Sequence, residues 1–594
     1  EIVCDPFGLA VERRGALNIV LPLSSVGGRG LSLPLTLNYS SKIWSASRDS
    51  NWVDENGPHP VAYARFDDIG NLITIHSRVA PGWSIGVAPT LVMVGNGTKS
   101  DTTTLCPADF KFAFTKLSVM LPDKGEIQLR DDLTDGAPLA AQYDPNTQCM
   151  ARDGDRGQRW HATDGSGIVF ISDTANGIVR GDLNGVLILA DGTRYRFADS
   201  STPPPGSPPV SLIGGARGQA YASSVTDRNG NLITITYPAA NEARYTDQLG
   251  RVTKIQRNVP DPDNPSVTLN VLATVPGYQG QNRYFKIKTA VMNQRYRTGI
   301  NPSLPVINGD YDPMNWGLSW GPATRLFPKS HGSDAERIDQ FAVLSDFTLP
   351  DGRSIQFFYN EFGEVAEVRL PTGGKIQYDY QYVSTLPAGK SHIGEVRTSL
   401  IDSDVGDVDR AVVARRSYAD GTTLEGSWTY SYTSATTQVT ATSASGSVLL
   451  NQKHYFMTSG RYLNSPSGTG PIPDRGVEGT GNTLWSTGIE SRTETLNAAG
   501  TTVIAASEQD LTQRITLDWS PYTTYAQEQP QNDNRVNQTR RYLETGMMAK
   551  VETFYDQYNN PTEVKEYDYD QTLKRRIVMS YVSTNNGSNY QTDD

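Results

Sequence analysis

Val225–Ile235 reads V-T-D-R-N-G-N-L-I-T-I, and Tyr245–Ile255, soon after it, reads Y-T-D-Q-L-G-R-V-T-K-I. Both place a short strand-forming stretch before an aspartate, a glycine after it, and then an apolar/polar alternation. The same order recurs as F-D-D-I-G-N-L-I-T-I at Phe66–Ile75 and F-Y-N-E-F-G-E-V-A-E-V at Phe358–Val368. Leu189-Ala190-Asp191-Gly192-Thr193, Leu349-Pro350-Asp351-Gly352-Arg353 and Leu370-Pro371-Thr372-Gly373-Gly374 are neighbouring versions of the turn. Phe554–Asn560 and Glu566–Asp570 close the series. In this unit the aromatic residue packs across a strand pair, the Asp or Asn bonds turn backbone, and Gly takes positive φ. One such hairpin cannot bury its apolar face alone, so successive units must stack into a continuous sheet.

Working outward, Leu31–Tyr39 puts apolar residues at every second position, the pattern of a strand with one buried face. Asn-Gly pairs at Asn56-Gly57, Asn96-Gly97, Asn184-Gly185, Asn229-Gly230 and Asn308-Gly309 suit two-residue hairpin loops, in which both residues adopt positive φ. Helical periodicity is confined to Asp334–Phe341, a single candidate turn. The chain is predicted to be all-β, with an N-terminal sandwich-like region and then antiparallel sheet.

Composition agrees. The 594 residues include 29 Tyr, 54 Gly and 35 Pro, a turn-rich and strand-prone mixture. The mean hydropathy of −0.45 falls within a globular composition once glycine is counted with the apolar residues. Ser200–Pro209 is Pro-rich and cannot form a central strand. We therefore divide the chain into an N-terminal β-rich domain (1–199), a Pro-rich linker or surface loop (200–210), a repeat region (211–440) and a further repeat-like region (441–594). The last contains a long loop at 464–481 and a polar tail.

The net charge of −11 argues against a nucleic-acid partner, because an acidic surface repels phosphate. No apolar run is long enough to span a bilayer as a helix. Glu1 leads directly into Ile2-Val3-Cys4, so any export signal is expected to have been removed already.

The repeat units resemble the YD repeat of the RHS family, which includes polymorphic toxins, toxin-complex shell proteins and teneurins. Leu370–Gly374 followed by Tyr378-Asp379-Tyr380 is especially close. Gly15-Ala16-Leu17-Asn18, Leu21-Pro22-Leu23, Gly28-Arg29-Gly30 and Leu35–Ser40 are similar to the family's N-terminal regions. The resemblance implies a sheet spiralling into a shell or open barrel outside the cytoplasm, secreted or at the cell surface. In toxin members the shell encloses a C-terminal toxin that is released at an aspartyl site between two Asp-Pro-x-Gly motifs. Here such a tetrapeptide occurs once, as Asp5-Pro6-Phe7-Gly8, so toxin activity does not carry over.

Site candidates are sparse, and no catalytic constellation can be assembled. The six histidines lack metal-ligand spacing. Gly317–Gly321 matches Gly-x-Ser-x-Gly by letters, but Pro322 follows where a nucleophile elbow needs a helix. Asp402, Asp404, Asp407 and Asp409 surround Gly406 and offer hard oxygens to Ca²⁺, with a solvated acidic loop as the alternative. Cys106 and Cys149 can pair as a disulfide and leave Cys4 for an intermolecular bond; three inert thiols are the alternative. Trp316 and Trp320 fall on one side of a strand, either as a sugar platform or as packing residues.

The expected function is a non-enzymatic exported β-scaffold, acting as shell, stalk or surface interaction protein, with protein partners or self-assembly. Two alternatives stay open. One is a filament or adhesin subunit joined by strand addition, with Val578–Asp594 as a strand for donation. The other is a carbohydrate-binding or carbohydrate-active protein.

Overall fold

A computed structural model describes residues 15–581, apart from short breaks and the stretches 67–77, 98–111, 134–142, 145–148, 151–155, 175–182, 198–216, 300–310, 313–316, 323–341, 383–405, 458–488 and 514–533. The described chain is almost entirely antiparallel β, with two 3₁₀ turns and no α-helix among the described residues. Asp334–Phe341, the Pro-rich 200–210 and the loop 464–481 lie outside them.

The units stack as the turn chemistry requires. Asp227 N–H donates to Asn231 O (3.1 Å) and Gly230 N–H to Asp227 O (3.0 Å). The Asp227 carboxylate then accepts from the Asn229 and Asn231 amides at 2.8 and 2.9 Å. Asp247 repeats this with Leu249 and Arg251, and Asn360 with Phe362 and Glu364. The same pair of backbone bonds recurs at Leu189, Leu349, Leu370, Ser443 and Leu543.

These are three-residue loops closed by a left-handed glycine, which corrects the two-residue reading at Asn229-Gly230; Asp54 pairs with Gly57, and Asn308-Gly309 lies outside the described residues. At Asn229-Gly230 the glycine alone has positive φ (82°). The aspartate side chain can reach both amides only around a type I turn, and that turn places its left-handed residue third. Asn96-Gly97 ends a strand and Gly185 begins one, so neither forms a tight turn.

Pairing then runs from hairpin to hairpin. Thr90–Gly97 pairs on one edge with Phe112–Leu121 and on the other with Arg217–Tyr221, so the beginning of the large sheet bends back on itself. Onward from Leu232–Ala239 the ladder continues to Leu573–Val578, which pairs on one side with Pro561–Tyr567. Among the described residues the sheet is therefore not a closed barrel. It nevertheless curls far enough that the turn at Gly165 meets Asn534, nearly 370 residues later: a Cβ on Gly165 would lie 2.2 Å from Asn534 O.

A four-stranded sheet made of Asn18–Gly27, Ser32–Ser40, Trp83–Gly86 and Arg78–Ala80 packs against the repeats. The alternation in Leu31–Tyr39 is borne out, with Leu33, Leu35, Leu37 and Tyr39 all buried. Trp83 is 1 % exposed, with its ring 4.5 Å from Phe357 and 4.8 Å from Tyr39. Its indole N–H donates to Tyr359 Oη at 3.1 Å, and Tyr359 passes a bond to Leu344 O at 2.7 Å. Tyr39 Oη accepts the Val365 amide at 2.9 Å, a contact spanning 326 positions. Nearby, Arg410 donates to both Glu364 oxygens at 3.0 and 3.1 Å and lies 3.6 Å over the Phe362 ring.

Candidate functional site on the C-terminal strands

Beyond Ser443 the same hairpins continue without the same burial. Tyr432, Thr437, His454, Thr493, Ser507 and Arg541 follow one another across adjacent strands, each opposite the next. Thr437 is 1 % exposed and His454 8 %, whereas Thr493 is half-buried and Ser507 and Arg541 are exposed. The face that carries the core in the repeats thus opens progressively to solvent.

Successive side chains alternate faces. The opposite face carries a charge lattice through Tyr455, Arg492, Glu508, Arg540 and Lys550, again opposite one another. Arg492 reaches Glu494 at 2.9 Å and Glu508 at 3.2 Å. Arg540 grips both Asp510 oxygens at 2.6 Å, and Tyr542 Oη donates to Glu508 at 3.0 Å. Burial alone would raise Glu508, but bonds from Arg540 and Tyr542 outweigh it and leave the carboxyl below its usual range. Partial burial, with the Glu494 carboxylate beside it, pushes the Tyr455 phenol up to about 12. Individual exposed pairs of this type contribute little, but a network fixes register and keeps a bare sheet hydrated.

On the core-side face, Glu490, Thr493, Ser507, Gln509, Thr539 and Arg541 line a pocket of about 250 Å³. Behind it, His454 Nδ1 lies 2.7 Å from Glu490 Oε1, and the Thr493 hydroxyl donates to the same oxygen. Burial would raise the Glu490 carboxyl, but these two bonds hold it below its usual range. A carboxylate on Nδ1 is how a catalytic histidine is oriented. Here, however, His454 Nε2 and the Thr437 hydroxyl opposite are enclosed and without hydrogen-bond partners among the described residues. The pair therefore ties strands together, and the accessible chemistry belongs to the hydroxyls and Arg541.

The sequence candidates mostly fall elsewhere. Asp402, Asp404 and Asp409 lie outside the described residues, and Asp407 sits in a two-residue strand opposite Ser45. Among the described residues no group of three or more His, Cys, Asp or Glu is placed to hold a metal. Cys4 and Cys106 lie outside as well, while Cys149 pairs in the ladder with Asp144. Trp320 belongs to the strand Gly317–Pro322, and Trp316 lies outside the described residues. No described helix is long and apolar enough to cross a membrane. Sequence reasoning missed the pocket residues, whose one signal is the polar alternation in Glu490–Leu496.

No protein-family model matches the chain, and no curated protein matches it. Among solved structures, the crystal structure of TcdB2-TccC3 is similar at 11 % identity and a TM-score of 0.28, over 97 % of this chain and 45 % of that one. A Tc holotoxin pore from Photorhabdus luminescens is similar at 10 % identity and a TM-score of 0.28, over 94 % of this chain and 43 % of that one. The N-terminal domain of the effector SpvB from Salmonella typhimurium is similar at 14 % identity and a TM-score of 0.19, over 68 % of this chain and 98 % of that one. The chain thus spans less than half the length of the two Tc structures.

Proposed function

We propose that the chain is an exported β-scaffold of the YD-repeat kind, a shell wall or surface interaction protein whose task is structural. The observation that carries this reading is the unbroken ladder of like hairpins, curling until Gly165 meets Asn534. The recurring Asp/Asn–Gly turn supports placement in the RHS family, since it is the feature that the sequence shares with YD repeats. Electron microscopy of the full chain, with light scattering for mass, tests the proposal. Curved or hollow particles at the monomer mass of 65.0 kDa are expected; solid globules without a concavity would contradict it.

A second reading is favoured by one observation. Leu573–Val578 is exposed and pairs on one side among the described residues, so its other edge is open to strand addition. On that reading the same preparation forms fibres, and deleting Ile577–Asp594 leaves a folded monomer. Fibres that persist after the deletion would sink it.

A further inference from the structure

The pocket on the core-side face includes three polar side chains, Ser507, Thr539 and Arg541, that the scaffold does not use among the described residues. Ser507 and Arg541 face each other across one strand pair, and Gln509 and Thr539 across the same pair one step along. Thr493 lies opposite Ser507 on the other side. Ser507, Thr539 and Arg541 are exposed, and none makes a side-chain hydrogen bond or ion pair among the described residues. Every other arginine on these strands is engaged: Arg492 with Glu494 and Glu508, Arg540 with Asp510, and Arg535 with Asp556 O and the Tyr555 ring. A lone uncommitted guanidinium over a floor of hydroxyls differs from the charge lattice on the opposite face, where each charge has a partner.

We infer that this pocket binds a small hydroxylated carboxylate of the sugar-acid type. The guanidinium offers two parallel N–H donors that match one carboxylate. Ser507 and Thr539 are spaced to exchange hydrogen bonds with neighbouring hydroxyls, Gln509, whose Nε2 donates to Glu490 O, keeps its Oε1 as an acceptor, and about 250 Å³ holds a single ring. The Glu490 carboxylate at the rim accepts from a ligand hydroxyl and repels a second negative charge, so a monoanion is preferred to phosphate. The partner is either a free sugar acid or an acidic residue within a glycan, and both present the same group to Arg541.

The test is calorimetric titration of the full chain with sodium D-glucuronate, D-glucose, sodium acetate, inorganic phosphate and a glucuronate-containing tetrasaccharide. Glucuronate is expected to bind more tightly than glucose, acetate or phosphate. Arg541→Gln is expected to weaken glucuronate by about tenfold or more, the usual cost of a lost charged hydrogen bond. Its melting temperature should stay unchanged, since the side chain has no partner among the described residues. The double variant Ser507→Ala with Thr539→Ala is expected to weaken glucuronate and leave acetate unchanged. A tetrasaccharide that binds more tightly than the monosaccharide assigns the site to a glycan; equal binding assigns it to the free acid. Glucuronate no tighter than glucose, tighter phosphate, or an Arg541→Gln variant that binds like the wild type would overturn the inference.

Discussion

The repeats at 342–443 and those at 490–578 have the same antiparallel ladder and the same glycine-closed turns, yet only the first are filled. In Ser354–Tyr359 and Val365–Arg369 the core-side residues Ile355, Phe357, Tyr359, Val365 and Val368 are buried, and aromatic rings from the N-terminal sheet lie against them. In Glu490–Leu496 and Pro561–Tyr567 every residue is intermediate in exposure, and Leu573–Val578 is nearly all exposed. The difference shows that hairpin geometry is set locally by turns and alternation, while burial comes from a distant segment. Most of the folding free energy should therefore sit in the filled repeats, because apolar burial is the dominant favourable contribution.

Trp83→Ala should have the largest effect, because it empties the centre of the filled region and strips Tyr359 of a donor. A loss of about 3–5 kcal/mol is expected in a denaturant titration. Glu364→Ala follows at about 3 kcal/mol, because it leaves the Arg410 guanidinium buried without its carboxylate. If either change destabilised Met548–Val578 as much as the filled repeats in a site-resolved probe, the two regions would be one cooperative unit and the contrast would fail.

A pair of glycines sharpens the comparison at intermediate size. Gly165 and Gly546 both have positive φ, 77° and 82°, but only Gly165 lies against another segment. Gly546→Ala is expected to cost about 1 kcal/mol of backbone strain. Gly165→Ala should cost roughly 2 kcal/mol or more, because Asn534 must also move away. Equal losses would mean that the contact between the two ends of the ladder contributes nothing.

Acid should act on both regions through their turns. The carboxyl of Asp420 is held well below its usual range by the Thr423 and Thr422 amides, and those of Asp351 and Asp570 are lowered by Arg353 and Thr572. A carboxyl depressed on folding adds stability that is whole above its unfolded value, here 3.8, and is lost as pH falls towards the folded value. Urea midpoints should hold steady above about pH 5 and decline below about pH 4. Asp420→Asn should flatten part of that decline, and an unchanged profile would remove the turn aspartates from the account. The smallest effect belongs to Phe554→Ala, which removes an exposed ring beneath Lys565 and should cost under about 1 kcal/mol.

Much of this was legible in the sequence and some was not. The strand class, the turn unit and the one-sided burial of Leu31–Tyr39 can be read directly, since each depends on neighbours within a few positions. The partner of that buried face cannot, because Tyr39 meets Val365 only after the ladder between them has folded. The loop type at Asn229-Gly230 was misread because the pair alone suggests a two-residue hairpin, and the deciding acceptor is Asp227, two positions earlier. The pocket was invisible for a different reason: Thr493, Ser507 and Arg541 are ordinary strand residues, and only the register brings them together.

Native-state hydrogen exchange on the full chain, read by peptide mass spectrometry, tests the central claim most directly. The account predicts the slowest exchange in Ala342–Arg369 and Arg410–Ser443, faster exchange from Glu490 onward, and the fastest at Leu573–Val578. Uniform protection along the ladder, or protection strongest in the C-terminal strands, would contradict it.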